Sequence, residues 1–170
     1  TAPKQAKQAQ VIVMHLEPLQ IRTRREASLP VVGGNIMPDP EQGIAYISVT
    51  DRHSGKGKTA SALISGFDLK QGAFATSLSP DDDNIICIGA SVSDMTAAIN
   101  HLFDIDGGQV VVADGKVVAD FRLPLCGFMA DILVQEMAAK EAILNQKLFE
   151  LGVKIPKPFF SSSLIMDAAV

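Results

Sequence analysis

Tryptophan is absent from this 170-residue chain, tyrosine occurs once and cysteine only twice. Cys87 sits in an apolar run and Cys126 in a Pro/Gly-flanked loop, too few thiols for a disulfide framework or a metal-ligand set, so both are expected as buried free thiols in a reducing compartment. No run approaches the roughly 20 apolar residues that a membrane helix needs, and the N-terminus has no signal-peptide core, so the chain reads as cytoplasmic and not membrane-bound. Basic residues are also scarce: 15 Lys and Arg against 19 Asp and Glu leave a net charge of -4. With no basic stripe and no interleaved aromatics, binding to nucleic acid through phosphate neutralisation is excluded. The histidines His15, His53 and His101 include no His-x-His pair, so no zinc or binuclear centre can be built from neighbouring ligands. His15 and His101 read as surface or satisfied structural residues, and no metal or cofactor ligand is assigned in this chain.

What remains is an ordinary globular balance, 47% hydrophobic and 20% charged, in a chain of the size of one domain. Such a domain buries on the order of two-thirds of the surface its unfolded chain exposes. Residues 1–10, small, polar and Lys/Gln-rich, read as a linker or a cut end, and the domain as 11–170.

The first half is rich in strand signals. Val11–His15 and Ile21–Arg24 can pair, Pro30–Val32 is a short extended piece, and Ile44–Thr50, Thr59–Ser65, Ala73–Ser77 and Ile85–Gly89 follow between Gly, Pro and Asp turns. Ser91 is placed as the N-cap of a helix whose apolar face is Met95, Ala98, Ile99 and Leu102, ending before Gly107-Gly108. Asp114-Gly115 predicts a hairpin between Gln109–Ala113 and Lys116–Phe121. A helix is expected from Asp131 to Leu151, with a stripe of Leu133, Met137, Leu144, Leu148 and Leu151, and Phe159–Leu164 is expected to return as an edge strand. The fold class is α/β or α+β: one compact domain, a mixed sheet with helices packed on it, and a long helix near the C-terminus.

Asp51-Arg52-His53-Ser54-Gly55-Lys56-Gly57 is the candidate site. It puts an acid, a cation, an imidazole and two glycines directly after a strand, where α/β proteins usually place function. Asp51 can orient His53 or accept from a ligand, and Arg52 can clamp a carboxylate or secure a loop carbonyl; a glycine turn with a local ion pair is the structural alternative. The Gly-Lys-Thr ending at Thr59 is not a phosphate loop, because Arg52 stands where that pattern requires glycine and a strand follows. Asp81-Asp82-Asp83 lacks the spacing of a calcium loop and reads as a solvated turn.

That heptapeptide, with Gly66-Phe67-Asp68-Leu69-Lys70-Gln71-Gly72-Ala73, Asp94-Met95, Gly107–Val112 and Leu123-Pro124-Leu125-Cys126-Gly127-Phe128-Met129-Ala130-Asp131, resembles the C-terminal domain of adenine deaminase, of the amidohydrolase superfamily, over about Val11 to Leu164. The resemblance implies a hydrolase of purine metabolism acting on a cyclic amidine, turning adenine and water into hypoxanthine and ammonia. Its metal-dependent barrel, absent from this chain, would precede the domain and hold manganese or iron. It also implies that Asp51, Arg52, His53, Asp81 and Asn84 contribute to the mouth of the site, that partners are the barrel, adenine or a related small molecule and further copies of the protein, and that this chain alone does not deaminate. The family usually has Ala-His-Asp-Ser-His-Asn-Ile where this chain has Ser79-Pro80-Asp81-Asp82-Asp83-Asn84-Ile85, so both histidines are replaced, by Pro80 and Asp83. Loss of two such groups argues for a changed substrate or a lost activity, unless Asp83 supplies a carboxylate in place of an imidazole. The alternative is a non-catalytic module for oligomerisation or ligand binding in a diverged amidohydrolase homologue.

Overall fold

The computed structural model describes residues 6–17, 20–79 and 83–167. Its centre is a mixed sheet built from β1 (Gln8–Glu17), β2 (Gln20–Val32), β3 (Asn35–Ile36), β4 (Ile44–Thr50), β5 (Thr59–Ser65), β6 (Ala73–Thr76), β7 (Ile85–Gly89), β8 (Gly108–Ala113) and β9 (Lys116–Arg122). Among the described residues the order is β3-β2-β1-β5-β4-β7-β6-β8-β9, and only β1 and β5 run parallel. Three α-helices, α1 (Val92–Asp104), α2 (Val134–Glu150) and α3 (Pro158–Asp167), and a single 3-10 turn at Pro40–Gln42 complete the described elements.

The short apolar strands are explained by what covers them. On β6, β7 and β8, Ala73, Ala75, Ile85, Cys87, Val110 and Val112 join Met95, Ala98 and Leu102 of α1 in one buried cluster. The intervening Phe74, Ile86, Ile88 and Val111 join Leu144 and Leu148 of α2 and Phe159 and Ile165 of α3 in another. Alternate side chains therefore enter opposite cores, which is why these strands carry continuous apolar runs rather than an apolar-polar alternation.

Ser91 caps α1, its hydroxyl accepting from the Asp94 amide at 3.2 Å. Asp94 itself is buried: Oδ1 accepts from the Gly115 amide at 2.7 Å and Oδ2 from the Ser91 hydroxyl at 2.7 Å. One carboxylate thus fastens the helix start to the β8–β9 turn.

Six expectations need correction. Phe159–Leu164 is not an edge strand but the greater part of α3. Phe159 packs edge-on against Phe74, with centroids 5.4 Å apart, while the Ser162 and Ser163 hydroxyls donate to the carbonyls of Phe159 and Phe160, both at 2.8 Å. Helical spacing buries Phe159, Ser162 and Ile165 on one side, and tertiary packing overrides the β-propensity of the paired phenylalanines. The long helix starts at Val134 rather than Asp131, after an N-cap, Leu133, that has no capping side chain. Leu133 is 67% exposed and so is no part of the buried stripe, which consists of Leu144, Leu148 and Leu151 with Met137 at its margin. Residues 8–10 belong to β1, so the ordered sheet begins inside the stretch read as linker, and Pro30–Val32 is the end of β2 rather than a separate piece. Cys87 is buried as expected, but Cys126 is exposed.

Candidate functional site

Stretches far apart in the chain meet at one end of the sheet: the turn after β4, the residue pair before β7, the glycines leading into β8 and the loop after β9. The turn after β4 is made by Asp51, whose Oδ1 accepts from the backbone amides of His53 at 3.0 Å and Ser54 at 3.1 Å, while Oδ2 accepts from the Ser54 hydroxyl. This is an Asx-type turn, in which a carboxylate replaces the backbone acceptor of an ordinary turn. The Ser54 hydroxyl, ahead of the two amides, holds the Asp51 carboxyl below its usual range by stabilising the charged form. What Asp51 fixes is the His53 backbone. No helix follows the glycines, since β5 begins at Thr59, and the phosphate-loop reading stays excluded.

Arg52 reaches across to two other segments. Its Nε donates to the Asp83 carbonyl at 2.6 Å, and Nη2 donates to the Cys126 carbonyl. Both acceptors belong to non-glycine residues in the left-handed region, with φ of 49° at Asp83 and 60° at Cys126. Such backbone costs on the order of 1–3 kcal/mol per residue and persists where its surroundings over-determine it. A planar cation with donors in a fixed fork supplies that determination, because hydrogen bonds from a charged donor are about twice as strong as neutral ones.

Glycine is required where this guanidinium lies. A Cβ on Gly127 (φ 71°) would sit 2.9 Å from Arg52 Cζ, and one on Gly107 (φ 104°) would sit 2.6 Å from Gly127 Cα and 2.8 Å from Ser77 Oγ. Fully buried Ser77 closes the arrangement: Oγ accepts from the Gly108 amide at 2.8 Å and donates to the Gly127 carbonyl at 2.6 Å. Beside this cluster opens a cleft of about 510 Å³ whose lining includes Arg52, His53, Phe103, Asp106, Pro124 and Cys126.

Of the residues nominated from sequence, Asp51, Arg52 and His53 lie together here, and Asn84 is half-buried between Asp83, whose carbonyl Arg52 holds, and the start of β7. Asp81 and Pro80 lie outside the described residues. Sequence reading passed over Ser77 and the Cys126 carbonyl, and no signal in residue type could have found them, since one acts through a hydroxyl at a strand end and the other through backbone. His15 and His101 are partnered, His15 Nδ1 with Ser65 Oγ at 2.8 Å and His101 Nε2 with Asp120 Oδ2 at 2.7 Å.

A larger groove, about 1170 Å³, runs along the sheet beside α1, and no charged residue lines it. It contains none of the candidate residues, and the chemistry-bearing side chains are at the smaller cleft. Among the described residues no three His, Cys, Asp or Glu side chains are grouped to hold a metal ion, and no described helix is long and apolar enough to cross a membrane.

Comparison with known proteins agrees with this convergence of motifs. The chain is 43% identical over 164 residues to adenine deaminase 4 of Rhizobium meliloti, covering 95% of this chain and 27% of that protein. It is 39% identical over 167 residues to adenine deaminase 1 of Desulfotalea psychrophila, and 34% identical over 165 residues to an adenine deaminase of Moorella thermoacetica. In both, the matched part is 28% of the relative, so this chain spans little more than a quarter of the curated proteins it matches. The family model described as the adenine deaminase C-terminal domain matches residues 20–170, and the chain accordingly belongs to the adenine deaminase C-terminal domain family.

Proposed function

We propose that this domain serves an adenine deaminase, packing on an amidohydrolase barrel that precedes it and completing the mouth of the site where adenine and water give hypoxanthine and ammonia. The observation that carries the reading is the single cluster in which Arg52 links Asp83 and Cys126 while His53 stands at the adjoining cleft.

The roles divide by what each side chain is already doing. Arg52 spends its donors on two carbonyls and is a positioning residue. His53, exposed at the cleft with its backbone fixed by Asp51, has an imidazole of the kind that can take or give the proton this hydrolysis must move. Asn84 and Asp81 complete the proposed set. Manganese or iron would be held by the barrel, since the described residues of this chain do not fit a metal ion. A reducing cytoplasmic setting suits the free cysteines.

The test is ammonia release from adenine, with manganese or iron supplied, by this chain alone and by the full-length product of its gene. Activity in the longer protein only is the expected result. His53→Ala in that protein should then lower turnover by about 10²- to 10⁴-fold with folding unchanged; unaltered kinetics would remove His53 from the chemistry. Absence of activity in both proteins would favour the non-catalytic module, with Pro80 and Asp83 in place of the family's histidines as the cause.

A further inference from the structure

The loop after β9 carries side chains that a solvated loop does not need. From Leu123 to Gln135 inclusive the sequence holds one charged residue, Asp131, and seven large apolar ones. Six of these, Leu125, Phe128, Met129, Ile132, Leu133 and Val134, are exposed, with Met129 at 54%, Leu133 at 67% and Val134 at 71%. Single exposed apolar residues are unremarkable, but so many within ten positions, with an aromatic and a methionine among them, have the composition of an interface core.

This loop is also held in shape before anything covers it. Leu125 and Met129 form an antiparallel bridge, the Leu125 amide donating to the Met129 carbonyl at 3.0 Å and the Met129 amide returning to Leu125 at 3.1 Å. Arg52 grips the Cys126 carbonyl and Ser77 the Gly127 carbonyl from within. Side chains turned outward from a pinned backbone form a surface that binds with little ordering cost.

We infer that Leu125–Val134 is the surface on which the remainder of the longer polypeptide docks; this rests on the functional reading above. Its occupant is the preceding domain of the same chain rather than a second copy. Little more than a quarter of the relatives' length corresponds to this chain, so about three-quarters is available in each molecule as a covalently linked neighbour. Tethering gives such a neighbour an effective concentration in the millimolar range, far above that of a free second copy at ordinary protein concentrations. The patch also adjoins the cleft through Pro124 and Cys126, so a domain seated there closes over His53.

Hydroxyl-radical footprinting of the full-length gene product tests this. Met129 is expected to oxidise at least tenfold more slowly in the native full-length protein than after unfolding in urea, and the paired substitution Leu133→Asp with Val134→Asp should raise its native rate at least tenfold. Met129 reacting at the unfolded rate in the native protein would overturn the docking surface. So would protection that disappears on dilution to the monomer, because a second copy would then be the cover, and so would a gene product that ends with this domain alone. Ammonia release is measured on the same sample. A protein that deaminates adenine with Met129 open keeps the function and loses this surface, whereas an inactive protein with Met129 protected keeps the surface and loses the function.

Discussion

Arg52 lies flat against Gly127, so close that a Cβ at Gly127 would come within 2.9 Å of the guanidinium carbon. The two residues are separated by most of the sheet in sequence, and the contact exists because Gly127 alone in its loop combines a positive φ with no side chain.

Gly127→Ala should therefore cost more than backbone strain. Gly115 has nearly the same φ, 72°, with open space where its Cβ would go, so Gly115→Ala reports the conformational term alone, roughly 1–2 kcal/mol. Urea unfolding of both variants is expected to show Gly127→Ala as the more destabilised. Equal losses would mean that Arg52 moves aside freely.

Arg52→Lys keeps the charge and loses the fork. A lysine amine cannot reproduce two planar donors aimed at separate carbonyls, so a loss of about 1.5–3 kcal/mol is expected, the worth of a hydrogen bond to a charged group. Amides in 83–85 and 125–129 should exchange faster in this variant while those of β1 stay unchanged; uniform exchange across the domain would contradict the staple.

Ser77→Ala removes a hydroxyl that is fully buried and engaged in both directions. It leaves the Gly108 amide without that acceptor and the Gly127 carbonyl without that donor, and a loss of about 1–3 kcal/mol follows. Thermal or urea unfolding measures it. Ser77→Cys, bulkier and a weaker hydrogen-bonding group, should not rescue stability.

Acid should loosen the turn that carries His53. The Asp51 carboxyl is lowered in the folded chain, first by the Ser54 hydroxyl, so its contribution is present above the unfolded carboxylate value of about 3.9 and is lost as pH falls through the lower folded value. Asp51→Asn should flatten that part of the acid limb. Following the amides of His53 and Ser54 by NMR between about pH 5 and pH 2 reads it directly, and a titration centred above about 4 would reverse the sign.

The two thiols should separate cleanly. Burial pushes the Cys87 thiol far up, while Cys126 is exposed in its loop. One thiol is expected to react with a disulfide reagent in the native domain at neutral pH and two in urea, because only the thiolate attacks and Cys87 is neither ionised nor reachable.

Much of the fold was legible because local and tertiary preferences coincide. β4, β5 and β7 have the bounds read from their sequence, Ser91 caps α1, and Asp114-Gly115 turns the hairpin. Phe159–Leu164 misled because paired phenylalanines and serines suit either a strand or a helix, and a distant partner, Phe74, decided between them. Leu133 misled because helical spacing says which residues share a face, not that the protein covers it. At the site, residue type located Asp51, Arg52 and His53, but what Arg52 holds is carbonyl oxygen, which every residue has and which only the folded backbone can present.

The parallel seam between β1 and β5 has a mechanical consequence. Registered pairing there is confined to Met14 with Ile64 and His15 with Ser65, whereas β1 and β2 pair along nearly their whole length, with Val13, Ala27 and Leu29 clustered on Ile44 of β4 as the ribbon's small apolar anchor. Under tension the β1–β2 ribbon would peel away as a unit, leaving the helix-covered strands β4 to β9 and the arginine staple intact.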